Sequence, residues 1–360
     1  MLAAATCISL FVGDSSDLGA LTRGGAIVRG FVPAEPWRIV AAIFIHVGTV
    51  HLVLNAIALW FIGRFAEEMF GAVRTIAIFA LAGIAGSIAS YYGDAVDVTA
   101  GTSGAIFGLL GAVFVELTLH RRLYRTAMRR GMWARIGIVL VALVGFGMLY
   151  PMVDNWAHGA GLVVGALAGA ALTPHARWAI VSRYVAPLIA LAFAAAVAAT
   201  GVLVVKTSVA DSYASLPTAR RSVGDLSVVA PIGWTVAGAE IYAPDVWVLM
   251  RLGWDPGAVD IHGPLAALTK GAPGEARERK FETTESTDER LVELPAPWQG
   301  SELIAQLPDA FGNRQRYRMV IAARPLGTGI ALATLYAPES IVRAAPAYFS
   351  GLLASIETSP

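Results

Sequence analysis

The chain has 360 residues, 56% of them hydrophobic and 15% charged, with a formal net charge of +1 and a mean hydropathy of +0.62. Soluble globular proteins carry nearer a quarter charged residues, so the composition argues for a membrane protein, and the small net charge argues against nucleic acid as a partner. Cys7 is the sole cysteine, which excludes a disulfide framework and a CxxC metal site.

In chain order, apolar runs fall at about 47–63, 74–92, 100–119, 134–150, 156–173 and 184–205. Each approaches the ~20 residues that cross a bilayer core. The last, YVAPLIALAFAAAVAATGVLVV, has no charge before Lys206. A further run, MLAAATCISLFVG, opens the chain. It is too short to span comfortably and lacks the basic start of a signal peptide, so it reads as the stub of a first helix. Loop charges set the orientation. Segment 120–135 carries Arg121, Arg122, Arg125, Arg129, Arg130 and Arg135 and no acid, and 174–183 adds Arg177 and Arg183. Positive charge marks the cytoplasmic side. The alternate loops hold Asp94, Asp97 and Asp154 without a basic residue, so the helices at 100–119 and 156–173 begin at the outer face.

The boundary falls at 205/206. Residues 1–205 read as a transmembrane domain and 206–360 as an extracytoplasmic α+β domain of about 150 residues, lying outside. Stretches 317–323 (YRMVIAA) and 329–337 (GIALATLYA) read as strands. Segment 339–357 reads as an amphipathic closing helix that Pro346 turns or kinks. This domain holds no cofactor motif, and its His262 reads as an ordinary surface histidine.

Several polar residues stand at membrane depth, where their cost makes them functional candidates. In FIHVGTVHLVLNAIALWFIGRFAEEMFG (44–71), His51 and Asn55 are four apart and share one helix face, pointing into the bundle. In VDNWAHGAGLVVGALAGA (153–170), His158 precedes Gly161, Gly165 and Gly169, which form a small-xxx-small face open to close helix approach. Gly104, Gly108 and Gly111 of GTSGAIFGLLGA offer the matching face. Docking the two brings His158 to Ser103, a base beside a nucleophile. The Ser103 backbone N–H, at a helix start, with His51 and Asn55, supplies donors for a developing oxyanion. Phe107, one turn on, braces the imidazole by stacking. Asp154 belongs to the outer loop, so the pattern is a dyad rather than a triad. His120 and His175 sit at cytoplasmic helix ends, where snorkelling or dipole contacts account for them.

Over about residues 30–173 these pieces resemble the rhomboid intramembrane serine proteases. PWRIVAAIFIHVGTVHLVLNAIALWFIGRFAEEMFG is similar to the family's WR loop, its H-x4-H-x3-N helix and the following G-R-x-x-E-x-x-x-G turn. GTSGAIFG resembles the G-x-S-G nucleophile motif, and DNWAHGAGLVVG the A-H-x-x-G-x-x-x-G motif. The resemblance implies a rhomboid-like six-helix core, which with a seventh helix makes an all-α polytopic membrane bundle; the soluble α+β domain that follows lies outside the resemblance. It implies Ser103 as nucleophile, His158 as general base, and an oxyanion hole of His51, Asn55 and the Ser103 amide. Gly101 shapes the turn before Ser103, Gly104, Gly161 and Gly165 support the packing, His46 is structural, and Trp37 and Arg38 order the outer loop. Phe107 stands where the family often has Tyr. The implied partners are transmembrane protein substrates and the lipid bilayer, with no nucleic acid, no cofactor and no metal. The expected location is multi-pass, in a bacterial cytoplasmic membrane. The alternative is a catalytically inactive rhomboid-like binding module or chaperone. Zinc on His46, His51 and His158 is disfavoured, since no HExxH helix or acidic partner accompanies them, and a transporter or channel lacks a charged midplane relay.

Overall fold

The computed structural model of the chain describes residues 17–93, 98–124, 131, 133–134, 137–138, 141, 145, 153–175, 178–243, 248–308 and 314–359. The opening run 1–13, Asp94, Asp97, Arg177, half of segment 120–135 and most of 134–150 lie outside the described residues. What is described forms two compact units. One comprises residues 20–28 and 35–206; the other comprises 17–19, 29–34 and 207–359.

The first unit is helical. After α1 (Leu18–Gly24), strand β1 (Ile27–Val28) and the short α2 (Arg38–Ala41) come α3 (Gly48–Phe70), α4 (Ala72–Tyr92), strand β2 (Val98–Thr99), α5 (Ser103–Leu119), α6 (Asn155–Leu172) and α7 (Ala179–Lys206). By length and composition α3, α4 and the Ser182–Lys206 part of α7 can cross a membrane; α5 is equally apolar but shorter, at 17 residues. Gly71 sits at φ +76, a conformation that L side chains rarely adopt, and there α3 ends and α4 begins. The α3 pattern shows why these helices need lipid. Asn55, Ala58, Ile62 and Ala66 repeat at helical spacing and are buried, while Val53, Leu54, Ile57, Trp60 and Phe61 face outward. α5 runs through the centre, buried almost continuously from Gly104 to Val113. α7 lies at the outside, exposing Leu188, Leu191 and Val202 and anchoring through Phe193, whose ring meets Phe44 and Phe79.

Glycines decide how closely the helices pack. A methyl group on Gly104 would lie 3.2 Å from the Ala157 carbonyl oxygen, and one on Gly169 would lie 2.6 Å from Ala112 Cα. Gly161 and Gly165 are pressed against the backbone of Gly104 and Gly108 so closely that no side chain fits between them. Without a hydrophobic drive between helices in lipid, backbone contact of this kind supplies the packing. α4 joins the seam through Gly86, beside the Ala157 carbonyl.

The second unit is α+β. A seven-stranded antiparallel sheet runs in the order β5 (Thr235–Ala237), β6 (Glu240–Tyr242), β7 (Leu249–Asp255), β11 (Gly329–Pro338), β10 (Arg314–Leu326), β9 (Gln299–Pro308) and β8 (Thr283–Ser286), and a three-stranded sheet in the order β12 (Glu357–Thr358), β4 (Leu226–Pro231) and β3 (Thr218–Val223). Its long hairpin pairs β10 (Arg314–Leu326) with β11 (Gly329–Pro338), the two stretches expected to be strands. Helix His262–Glu278 packs Ala272 and Ala276 against Tyr317, Met319, Ile321 and Tyr336 of the sheet. The closing helix is two helices, Glu339–Ala344 and Pro346–Ala354, broken at Ala345, because Pro346 has no N–H to continue the first and is well suited to start the second. His262 is exposed at the surface, 4.0 Å from Asp260.

Candidate active site

Ser103 is positioned by the three residues before it. Gly101 has φ +144, and a Cβ there would lie 2.9 Å from the His51 ring and 3.8 Å from Ser103 Oγ, so only glycine satisfies both the backbone and the space. The Gly101 N–H donates to the Ala42 carbonyl at 2.8 Å. Thr102 Oγ1 donates to the Ile43 carbonyl at 2.8 Å and lies 3.1 Å from His46 Nε2. With its own proton committed to the carbonyl, the Thr102 hydroxyl accepts from His46 Nε2–H. His46, buried at 1% exposure, thus fixes the residue next to Ser103 and acts as a structural strut. As the first residue of α5, Ser103 has a backbone N–H that no carbonyl one turn earlier claims.

His158 arrives from α6. Asp154 caps that helix, its Oδ1 accepting from the Ala157 N–H at 2.9 Å and its Oδ2 from Thr99 Oγ1 at 3.0 Å. Thr99 is linked in turn to Ser90 of α4, and its strand pairs with β1, so three elements hold the start of α6. Across the glycine seam, His158 Nε2 lies 2.8 Å from Ser103 Oγ. The hydroxyl donates, so the ring carries its proton on Nδ1. Phe107 stacks on the imidazole at 4.3 Å between centroids and 16° between planes. Among the described residues no carboxylate hydrogen-bonds to the His158 ring; Asp154 is spent on the cap.

On α3, the Val47 N–H donates to His51 Nδ1 at 3.4 Å, which leaves the proton of a neutral His51 on Nε2, the atom facing the Gly101 turn. Asn55 Nδ2 donates to the His51 carbonyl at 3.0 Å, and its buried Oδ1 has no hydrogen-bond partner among the described residues. Arg38 is almost wholly buried. Its guanidinium donates to Glu35 at 2.5 Å and to the carbonyls of Thr22 and Ala26, and it lies 4.8 Å from the Trp37 ring centroid. Trp37 and Arg38 therefore hold the chain between residues 22 and 38 together.

The sequence pattern does not single out Thr102, Thr99, Ser90 or Gly86, which act through strand and helix pairings that spacing alone leaves open. It also separates residues that the fold unites. His120 and His175, expected as independent helix-end residues, both bond Glu116, a carboxylate of α5 at 1% exposure. A carboxylate inside an apolar helix, four residues before a histidine, is the signal that could have found this cluster.

A serine hydroxyl is thus bonded to an imidazole at the closed seam of an apolar helical bundle. Residues 33–175 match the Rhomboid domain family model. The chain is 36% identical over 161 residues to the rhomboid protease GluP of Bacillus subtilis, covering 44% of this chain and 31% of that protein. It is 36% identical over 171 residues to RHOMBOID-like protein 5 of Arabidopsis thaliana, covering 46% and 54%. It is 35% identical over 161 residues to rhomboid-like protease 5 of Toxoplasma gondii, covering 43% and 18%. The chain thus spans from under a fifth to about half of the length of these relatives. The family includes proteases and is membrane-integral, in keeping with the apolar helices here.

Proposed function

We propose that the chain is an intramembrane serine endopeptidase in which Ser103 is the nucleophile and His158 the general base. The observation that carries this reading is the 2.8 Å hydrogen bond between Ser103 Oγ and His158 Nε2, with Phe107 stacked on the ring. As Ser103 Oγ attacks a peptide carbonyl, Nε2 takes its proton, and the carbonyl oxygen becomes an oxyanion. The Ser103 N–H, His51 Nε2–H and the second Nδ2 proton of Asn55 are the donors for that charge. His158 returns the proton to the leaving amine as the C–N bond breaks. Water, deprotonated by the same ring, then releases the acyl group. Of these, Asn55 Nδ2 already spends one proton on the His51 carbonyl, so only its second proton serves the oxyanion.

The substrates in this reading are transmembrane segments of other proteins, cut near the outer membrane face where small, helix-breaking residues let the chain unwind. Polar, Gly-rich helix starts around Ser103 are consistent with water access there. The second unit lies on the outer side of a bacterial cytoplasmic membrane. The test is a cleavage assay in detergent on a model transmembrane substrate, comparing the wild-type chain with Ser103→Ala and His158→Ala. Cleavage lost in both supports the reading; cleavage at the wild-type rate in either contradicts it.

A further inference from the structure

At the opposite end of the α5–α6 seam from Ser103, two helix ends converge on one carboxylate. Glu116 Oε2 lies 3.0 Å from His120 Nδ1, and Oε1 lies 2.8 Å from His175 Nδ1. Their ligand-capable atoms all lie within 4.8 Å of one another, the one such group of His, Cys or acidic residues among the described residues. Around this trio is a second layer. The Tyr124 hydroxyl donates to Glu116 Oε1 at 3.0 Å. Thr173 bonds Glu116 through its side chain and accepts the His175 N–H on Oγ1 at 3.2 Å. The carboxylate is 1% exposed, whereas the two imidazoles are 22% and 38% exposed. The cluster is therefore closed toward the bundle and open toward solvent.

From this donor set we infer a divalent transition-metal site formed by Glu116, His120 and His175, with zinc as the best-suited ion. Two imidazoles and one carboxylate, with a fourth position on the solvent side, are the ligand types and number of an open zinc site. A single carboxylate gives little to calcium or magnesium, which need several oxygen ligands. Bonds of about 2.0–2.2 Å place tetrahedral ligand atoms roughly 3.4 Å apart, so the 2.8 and 3.0 Å separations need only a small opening. The carboxylate between the rings and the Tyr124 and Thr173 hydroxyls behind it orient the ligands, as outer-layer partners do in metal sites. Both rings bind as the neutral Nε2–H tautomer, so each Nδ1 turns from donor to ligand. Because Glu116 belongs to α5 and His175 to the turn after α6, the ion ties together the two helices that carry Ser103 and His158. This inference does not depend on the catalytic reading.

The test uses the full chain in detergent, stripped with EDTA, dialysed and loaded with Zn2+ or with Co2+ as a spectroscopic probe. The expected result is one equivalent of zinc by elemental analysis, a cobalt d–d absorption band, and a Tm raised by several degrees, since binding only the folded state stabilises it. Uptake is lost in Glu116→Gln and in His175→Gln, the latter altering a partly exposed turn residue, and is kept in His158→Ala. Wild-type chain that takes up no metal and shows no cobalt band overturns the site without any variant. Uptake that survives His175→Gln, or that disappears in His158→Ala while persisting in His175→Gln, also overturns it.

Discussion

At one end of the α5–α6 pair, His158 is hydrogen-bonded to a neutral group, the Ser103 hydroxyl; at the other, His120 and His175 face the buried carboxylate of Glu116. The same glycine seam joins both ends. Imidazole next to a hydroxyl can take its proton, because the lone pair of Nε2 faces that hydroxyl. Imidazole next to an ionised carboxylate donates instead, and serves as a clamp or, with its tautomer reversed, a ligand. One helix pair thus presents a base at one end and a tie at the other, and the difference lies in the partner rather than in the histidine.

The largest effects should come from breaking the Ser103 end. Ser103→Ala or His158→Ala is expected to lower cleavage of a transmembrane substrate by about 10³-fold or more, with either change alone costing nearly as much as both together. Single-turnover rates of the two variants and the double variant check this. Asn55→Ala should cost less, roughly 10²–10³-fold in kcat, the usual loss for one oxyanion donor, with KM little changed. A loss expressed in KM alone would remove Asn55 from that role.

The seam offers a sharper comparison, since glycine occurs in both packed and open helix positions. Gly165→Ala places a methyl against the Gly108 backbone and should destabilise by about 1–3 kcal/mol while pushing His158 from Ser103. Gly201→Ala in α7 meets nothing within 4 Å and should stabilise slightly, by up to ~1 kcal/mol. Thermal unfolding of both variants, with activity of the first, measures the contrast. If the two glycines behave alike, the seam does not set the geometry.

The smallest effect belongs to the second unit. Arg318 is fully buried among Glu289, Glu302 and Glu339. Burial alone raises the Glu339 carboxyl, but hydrogen bonds from Arg316, Arg343 and Arg318 outweigh it and hold the group below its ordinary 4.5. A depressed value stabilises the fold above about pH 4.5, and that stability is lost as pH falls through the lower folded value. The Tm of this unit should therefore drop on acidification below about pH 4.5, and Glu339→Gln should flatten the drop. Tm followed by circular dichroism from neutral to acid pH checks both.

Much of the geometry around Ser103 is legible in the sequence, because apolar helices make polar residues conspicuous and helical spacing assigns them faces. His51 and Asn55 four apart, Ser103 at a helix start and glycines every four residues identify the pair that must dock. The start of α5 also falls where the small residues of 99–102 place it. What spacing does not convey is pairing at a distance. Asp154 reaches Thr99 only because β1 and β2 pair, and Gly86 joins the seam only because α4 leans on α6. Glu116 and His175 are 59 residues apart and meet only after the glycine seam has set the register of α5 against α6. The inclusion of residues 17–19 and 29–34 in the second unit is equally invisible, since Phe31 finds the Tyr213 ring by tertiary contact.

The most direct measurement is covalent labelling of the folded chain by a mechanism-based serine reagent, located by mass spectrometry. The account predicts one adduct, on Ser103, that fails to form in His158→Ala because the base that activates the hydroxyl is gone. An active chain in which the adduct lies on another serine, or in which Ser103 labels equally well without His158, would contradict it.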